Sequence, residues 1–270
     1  MSRIATRFSA LKQNKRKALI PYITAGDPQP GITVGLMHAM VKAGADILEL
    51  GVPFSDPMAE GPVIQRAMER ALEHHVSLRD VLAMVVEFRH NDRDTPVLLM
   101  GYLNPIEVMG YALFAREAAN AGVDGVLIVD LPPEEADELL VELNKTGLDI
   151  VFLVSPTTDE QRIQKIAKVS SGFIYYVSLK GVTGAGHLDT NEVADRVNRI
   201  KAHSKLPVGV GFGIKDAASA ARVAQVADAV VVGSALVKKV EETGGLADKL
   251  EEAISALLMD IRAGIDAPVK

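Results

Sequence analysis

The sequence predicts an α/β protein: a closed barrel of eight parallel strands, each followed by a helix, in a single domain. Short apolar runs alternate with longer amphipathic segments along all 270 residues. The runs are continuously apolar, as expected of strands buried on both faces. No linker, composition break or low-complexity tract interrupts them, and 48% hydrophobic residues suffice for one sizeable core. A (β/α)8 or TIM barrel commonly occupies about 250 residues, so residues 1–270 read as one such domain. The open doubly wound sheet is the competing architecture. It is disfavoured because Gly209-Val-Gly211-Phe-Gly213 has the wrong spacing for a dinucleotide fingerprint and lies late in the chain.

In chain order, Ile4, Phe8 and Leu11 fall at helical spacing and predict a short amphipathic helix that caps one end of the barrel. Strands follow at 18–24, 46–51, 96–101, 124–129, 149–154, 173–178, 207–211 and 228–232. Helical patterns fill the gaps, among them Ile32–Lys42, Pro133–Lys145, Asp159–Val169, Asn191–His203 and Ala235–Glu242. The longer gap after the second strand holds two, Pro62–His74 and Leu78–His90.

Composition narrows the function. A net charge of −6 argues against nucleic acid or an anionic membrane as the main partner. The absence of cysteine excludes disulfides, thiolate metal sites and a cysteine nucleophile. No apolar run approaches the roughly 18 residues of a membrane span. The stretch before Asp27 is basic (Arg3, Arg7, Lys12, Lys15, Arg16, Lys17) and superficially resembles a transit peptide. Its amphipathic spacing fits the capping helix better, and a cytoplasmic location is expected. The histidines show no metal-ligand spacing, so no metal site is expected.

In a parallel barrel the chemistry belongs to the loops that follow the strands. Glu49 interrupts the apolar second strand, where burial raises a carboxyl pKa and an unpartnered charge is costly. A salt-bridged core residue is the ordinary alternative. The next loop, Val52-Pro-Phe-Ser-Asp56-Pro-Met-Ala-Glu60-Gly-Pro62, is long for a βα connection and stiffened by three prolines. It brings a second acid, Glu60, suited to act as a charge-stabilising anion beside a proton-transferring Glu49. A solvated loop acid or a helix cap would account for Glu60 equally simply.

Three glycine-bearing strand ends form a second constellation: Gly181-Val-Thr183-Gly184, Gly211-Phe-Gly213, and Gly233-Ser234 before a helix. Glycines admit close approach of backbone N–H groups to an anion, and a helix N-terminus adds a favourable dipole. These three ends on neighbouring strands are therefore the candidate phosphate cradle, with a tight turn at each glycine as the ordinary alternative. Tyr22, Met100, Leu127, Leu153, Tyr175 and Phe212 stand at other strand ends and suit the wall of a slot for an aromatic ring. Met100, Leu127 and Leu153 are equally compatible with ordinary barrel core.

The run Leu48-Glu49-Leu-Gly-Val-Pro-Phe-Ser-Asp-Pro-Met-Ala-Glu60-Gly-Pro62 closely resembles the signature of the tryptophan synthase α subunit. Ile23-Thr-Ala-Gly-Asp-Pro28, Met100-Gly-Tyr-Leu-Asn-Pro105, Gly181-Val-Thr-Gly184 and Gly211-Phe-Gly-Ile214 resemble further family segments, in the family's order. The resemblance implies retro-aldol cleavage of indole-3-glycerol phosphate to indole and glyceraldehyde 3-phosphate. Glu49 would carry the proton transfers and the acid at position 60 would accept the indole N–H. Phosphate would sit on Gly184, Gly213, Gly233 and Ser234. Thr183, Tyr175 and Phe212 would lie near the substrate, and no cofactor is implied in this subunit. A pyridoxal-phosphate β subunit is implied as partner, in an αββα assembly, with Asp56, Pro57, Tyr102 and Asn104 on partner-facing segments. The family's loop usually carries Asp where this chain has Glu60. That departure motivates an alternative, a catalytically weak partner that mainly activates the β subunit. A neighbouring barrel, phosphoribosylanthranilate isomerase, is opposed by the missing cysteine base.

Overall fold

The structure is a computed structural model that describes residues 2–177, 190–211, 213–244 and 246–267. Nine parallel strands line one sheet: β1 (Ala18–Thr24), β2 (Leu48–Gly51), β3 (Val97–Gly101), β4 (Gly125–Ile128), β5 (Asp149–Val151), β6 (Leu153–Val154), β7 (Ile174–Val177), β8 (Val208–Gly211) and β9 (Ala229–Val232). Their order is β5-β4-β3-β2-β1-β9-β8-β7-β6. The two ends of that order are halves of one predicted strand, 149–154, so the sheet closes on itself. The division falls at Phe152, because the residues before it pair with β4 and those after it with β7. Ser171 N–H donates to Ile150 O at 2.8 Å and Tyr175 N–H to Phe152 O at 3.1 Å, which carries the ladder across the seam.

Twelve helices are described: α1 (Arg3–Gln13), α2 (Thr33–Lys42), α3 (Pro62–Glu73), α4 (Leu78–Arg89), α5 (Leu103–Met109), α6 (Tyr111–Ala121), α7 (Asp137–Thr146), α8 (Glu160–Val169), α9 (Thr190–His203), α10 (Ala217–Ala224), α11 (Ser234–Thr243) and α12 (Ala247–Asp266). The pattern predicts α7 four residues too early. Pro132 and Pro133 restrict the backbone there, and Glu135 N–H closes a turn on Pro132 O at 3.0 Å instead. After β3 there are two helices as well, separated by Gly110 at φ +85°.

Alternation along the strands sorts side chains into two cores. Leu19, Leu48, Leu50 and Leu99 face outward to the helices. Ala18, Ile20, Ile47, Leu98, Leu127, Val151, Phe173 and Val231 fill the barrel interior. Helix α1 closes the end of the barrel at which the strands begin, burying Ile4, Phe8 and Leu11 in that inner core, with the Phe8 and Phe173 rings 5.8 Å apart. The basic N-terminal stretch is thus the expected capping helix, and its Arg3 pairs with Asp124 at 2.8 Å.

The same end repeats one device. Asp46, Asp124 and Asp228 precede strands and each accepts a backbone N–H from the neighbouring strand, from Leu19, Val97 and Val208 at 2.9, 2.8 and 3.0 Å. Each also meets a cation: Arg262 at 3.0 Å, Arg89 at 2.8 Å and Lys201 at 2.8 Å. This polar network lies at the face opposite the strand C-termini, and its work is structural. Burial pushes the Asp46 carboxyl pKa up, opposed by the Leu19 hydrogen bond and Arg262. Removing one partner of a buried pair leaves the other uncompensated, at about 3–5 kcal/mol. Asp46→Ala is therefore expected to destabilise the fold by that order in urea unfolding at pH 7. A loss below about 1 kcal/mol, the level of an exposed pair, would contradict the structural role.

Candidate active site

At the strand C-termini the inner core gives way to partly buried side chains, Met100, Val129, Leu153 and Tyr175. Tyr22 pairs in register with Glu49, and Glu49 with Leu98. Glu49 follows the inward-facing Ile47 by two residues and so points into the barrel. It is 1% exposed, and its Oε1 has no hydrogen-bond partner among the described residues. Burial, and then the nearby Glu60 carboxylate, push its pKa to about 8. Among the described residues no cation pairs with Glu49, and none supplies the salt bridge of the ordinary alternative.

Glu60 ends the proline-rich loop and is half-buried. Desolvation raises its pKa to about 7. The loop is tightly fastened: Glu60 N–H donates to Pro57 O at 3.0 Å and Met58 N–H to Asp56 O at 2.8 Å. Phe54 stacks on Tyr102 with centroids 4.8 Å apart, and Ala59 N–H donates to the Tyr102 hydroxyl at 3.0 Å. Gln65 in the first turn of α3 donates to Glu60 O at 2.9 Å.

Two tyrosines complete the group. Burial raises the Tyr22 and Tyr175 hydroxyl pKa values well above 10, and the charges of both glutamates raise them further. Tyr22 hydrogen bonds Thr24 Oγ1 at 3.1 Å. Glycine is required beside both rings. A Cβ at Gly51 would overlap the Tyr22 hydroxyl, and one at Gly211 the Tyr175 hydroxyl. Two interior positions thus lack side chains so that two aromatic rings can lie across them.

The remaining predicted wall residues divide. Met100, Leu153 and Tyr175 are only partly buried and sit above the inner core, whereas Leu127 is fully buried within it. The phosphate candidates Gly213 and Gly233 end adjacent strands β8 and β9 or follow them closely. Gly213 adopts φ +68°, and open space lies where its Cβ would be. Gly233 caps α11 without a side-chain acceptor, and Ser234 begins that helix exposed. Thr183, Gly184 and Phe212 lie outside the described residues. Helix α11 joins the carboxylate side through a small cluster of Tyr22, Ile64, Ala67, Met68, Tyr102 and Val237.

Of the partner-facing candidates, Asp56 and Asn104 are exposed and Pro57 half-buried. Tyr102 is 3% exposed and instead supports the loop from beneath. Met58 and Val108, at 86% and 83% exposure, extend the same rim with apolar surface. Gln65 and Thr24 were not legible as site residues, because a lone amide or hydroxyl carries no spacing signal.

The family model described as "Tryptophan synthase alpha chain" matches residues 8–265. The chain belongs to the tryptophan synthase alpha chain family. Relatives of that name include one from Nitrosococcus oceani, 62% identical over 99% of this chain and 98% of its own length. Another, from Thioalkalivibrio sulfidiphilus, is 62% identical over 98% of this chain and 100% of its own. Among solved structures, the tryptophan synthase subunit alpha of Legionella pneumophila superposes with a TM-score of 0.93 at 53% identity, covering 98% of this chain and 99% of that one. A chain of tryptophan synthase from M. tuberculosis gives 0.87 at 37%, covering 98% and 100%. Alpha chains of tryptophan synthase cleave indole-3-glycerol phosphate in tryptophan biosynthesis, and this chain is such a lyase. The family name carries a beta-subunit partner with it. Among the described residues no helix is long and apolar enough to cross a membrane.

Proposed function

We propose that Glu49 and Glu60 divide the retro-aldol chemistry between them. Protonated Glu49 delivers its proton to indole C3, which makes the ring an electron acceptor. The resulting Glu49 carboxylate then takes the proton of the glycerol hydroxyl next to that carbon. The C–C bond breaks, its electron pair returns to the ring, and indole and glyceraldehyde 3-phosphate leave with Glu49 again protonated. Glu60 in its ionised form accepts the indole N–H and stabilises the positive charge of the C3-protonated ring. The observation that carries this reading is a buried carboxyl in the inner wall whose Oε1 has no hydrogen-bond partner among the described residues, with the charge of a second carboxylate acting on it. The free protein then works best between about 7 and about 8, with Glu60 ionised and Glu49 still protonated.

Tyr22, Met100, Leu153 and Tyr175 wall the indole slot in this reading, with Leu127 beneath them and Phe212 and Thr183 beside the substrate. Gly184, Gly213, Gly233 and Ser234 take the phosphate. The subunit needs no cofactor of its own. Asp56, Pro57 and Asn104, with the apolar Met58 and Val108, face a pyridoxal-phosphate β subunit in an αββα assembly in the cytoplasm. Tyr102 shapes that face from within. Single-turnover indole release from indole-3-glycerol phosphate, with and without β subunit, tests the whole. Release by the isolated chain, accelerated in the complex, is expected; none under either condition would remove the catalytic roles.

Gly213 gives a separate test of the phosphate side. Valine there is strained at φ +68° and fills the open space before the loop. Gly213→Val is expected to raise KM roughly 10-fold or more with kcat little changed, the pattern of lost uniform binding. Unchanged inhibition by glycerol phosphate would place the phosphate elsewhere.

A further inference from the structure

We propose that Gln65 is a positioning residue of the lyase reaction, holding the 52–61 loop so that Glu60 stays over Glu49. This rests on the role read for Glu60 above. Gln65 Nε2 donates to Glu60 O at 2.9 Å and reaches Pro57 O at 3.4 Å, so one amide holds both ends of the turn that carries the acid. The backbone of Gln65 is itself fixed, its N–H donating to Gly61 O at 3.0 Å in the first turn of α3. That helix is a firm base. Ile64, Ala67 and Met68 are buried against Tyr22 and Val237, and Arg66 grips Glu241 on α11 through two hydrogen bonds of 2.7 and 3.0 Å. On the other side Tyr102 receives Ala59 N–H, so residues 57–60 are held from two directions. The prolines restrict φ in this loop but leave ψ free, and an anchor on the carbonyl oxygens restrains that remaining freedom.

The consequence is electrostatic. The ionisable groups that feel Glu60 are Glu49, Tyr22, Tyr175 and Tyr102. With the loop held, Glu60 is desolvated and its charge keeps Glu49 protonated more strongly. With the amide gone, the carbonyl groups of residues 57 and 60 turn to water and the Glu60 carboxylate follows. Its own pKa then falls toward the ordinary carboxylate range, and that of Glu49 falls because a neighbouring charge has withdrawn.

Gln65→Met keeps length and helix propensity and removes the donor. Misplacement by about 1 Å can cost on the order of 10²-fold in rate, so a loss of roughly 10- to 100-fold in kcat is expected. KM should stay within about 3-fold, because the phosphate loops are untouched. Both limbs of the pH–rate profile should move to lower pH, which a purely structural side chain would not do. In a double-mutant cycle, adding Gln65→Met to Glu60→Gln should cost little more, since the amide acts through the charge that is already absent. An unchanged kcat, fixed limbs, or an equal loss in both backgrounds would overturn the proposal. If Glu60→Gln alone retains full turnover, the role read for Glu60 falls and the proposal falls with it. If Glu60→Gln is inactive while Gln65→Met behaves as the parent, only the proposal falls. Binding of an indolylalkyl phosphate, followed by calorimetry, reports that each variant still forms the substrate pocket.

Discussion

Glu49→Gln is expected to lose several orders of magnitude in turnover while becoming more stable than the parent. The amide has the size of the acid but can neither give up a proton to indole C3 nor take one from the glycerol hydroxyl, so both transfers fail together. Substrate should still bind, because Tyr22, Tyr175 and the phosphate loops are unchanged. The stability gain follows from linkage. In the unfolded chain the carboxyl has its ordinary pKa near 4.5, and in the folded barrel burial and Glu60 raise it to about 8. Between those values the folded state binds the extra proton, so stability falls as pH rises through this window. Above it the parent carries a buried carboxylate at a cost on the order of a few kcal/mol, which the amide avoids. Thermal melts of the two proteins should therefore diverge progressively from about pH 5 to about pH 8, alongside single-turnover assays. Near-normal turnover would remove Glu49 from the mechanism. A melting difference that does not grow with pH would mean that Glu49 is not buried as a neutral acid.

Much of the barrel was readable because its signals are periodic and local. Continuous apolar runs marked every strand, and Ile4, Phe8 and Leu11 marked the capping helix that buries them. The break at Phe152 was invisible, since an apolar run carries no mark of which neighbour each half will pair with. Glu49 stood out as a charge in an apolar strand, but the pattern left a salt bridge open, and it is the fold that buries it with no partner for its Oε1 among the described residues. Leu127 and Leu153 read alike, but they differ by depth along the barrel axis, which depends on strand stagger rather than on residue type. Tyr102 matched a partner-facing segment, yet its ring stacks on Phe54 and its hydroxyl receives Ala59 N–H. Gln65 left no trace in the sequence because its role comes from where α3 begins relative to the loop. The repeated aspartates before β2, β4 and β9 were likewise missed, being single residues whose cations arrive from distant helices.

At position 60 the three acids and amides separate the lyase from the purely regulatory reading. The Glu60 carboxylate reaches far enough inward to act on Glu49, Tyr22 and Tyr175, all on the barrel wall. Its loop backbone is held by Gln65 and Tyr102, so the arm and not the loop sets that reach. Glu60→Asp withdraws the charge by roughly 1.3 Å, about one bond's advance along the chain. Although the family usually carries Asp here, this loop is fastened around the longer acid, and turnover is expected to fall on the order of 10-fold. Glu60→Gln keeps the reach and removes the charge that stabilises the protonated ring. A loss of about 10²- to 10³-fold is expected, comparable with removal of a preorganised stabilising group elsewhere. The acidic limb of the pH–rate profile, which Glu60 sets at about 7 in the parent, should disappear in this variant, while the Glu49 limb persists but moves to lower pH because the neighbouring charge is gone. A purely regulatory subunit would show no indole formation in any of the three forms, yet each would still stimulate the β subunit. Equal and substantial turnover in all three would show that position 60 carries no catalytic charge. A faster Glu60→Asp enzyme would show that the longer arm overshoots the indole N–H, leaving the charge in place and the geometry described here wrong.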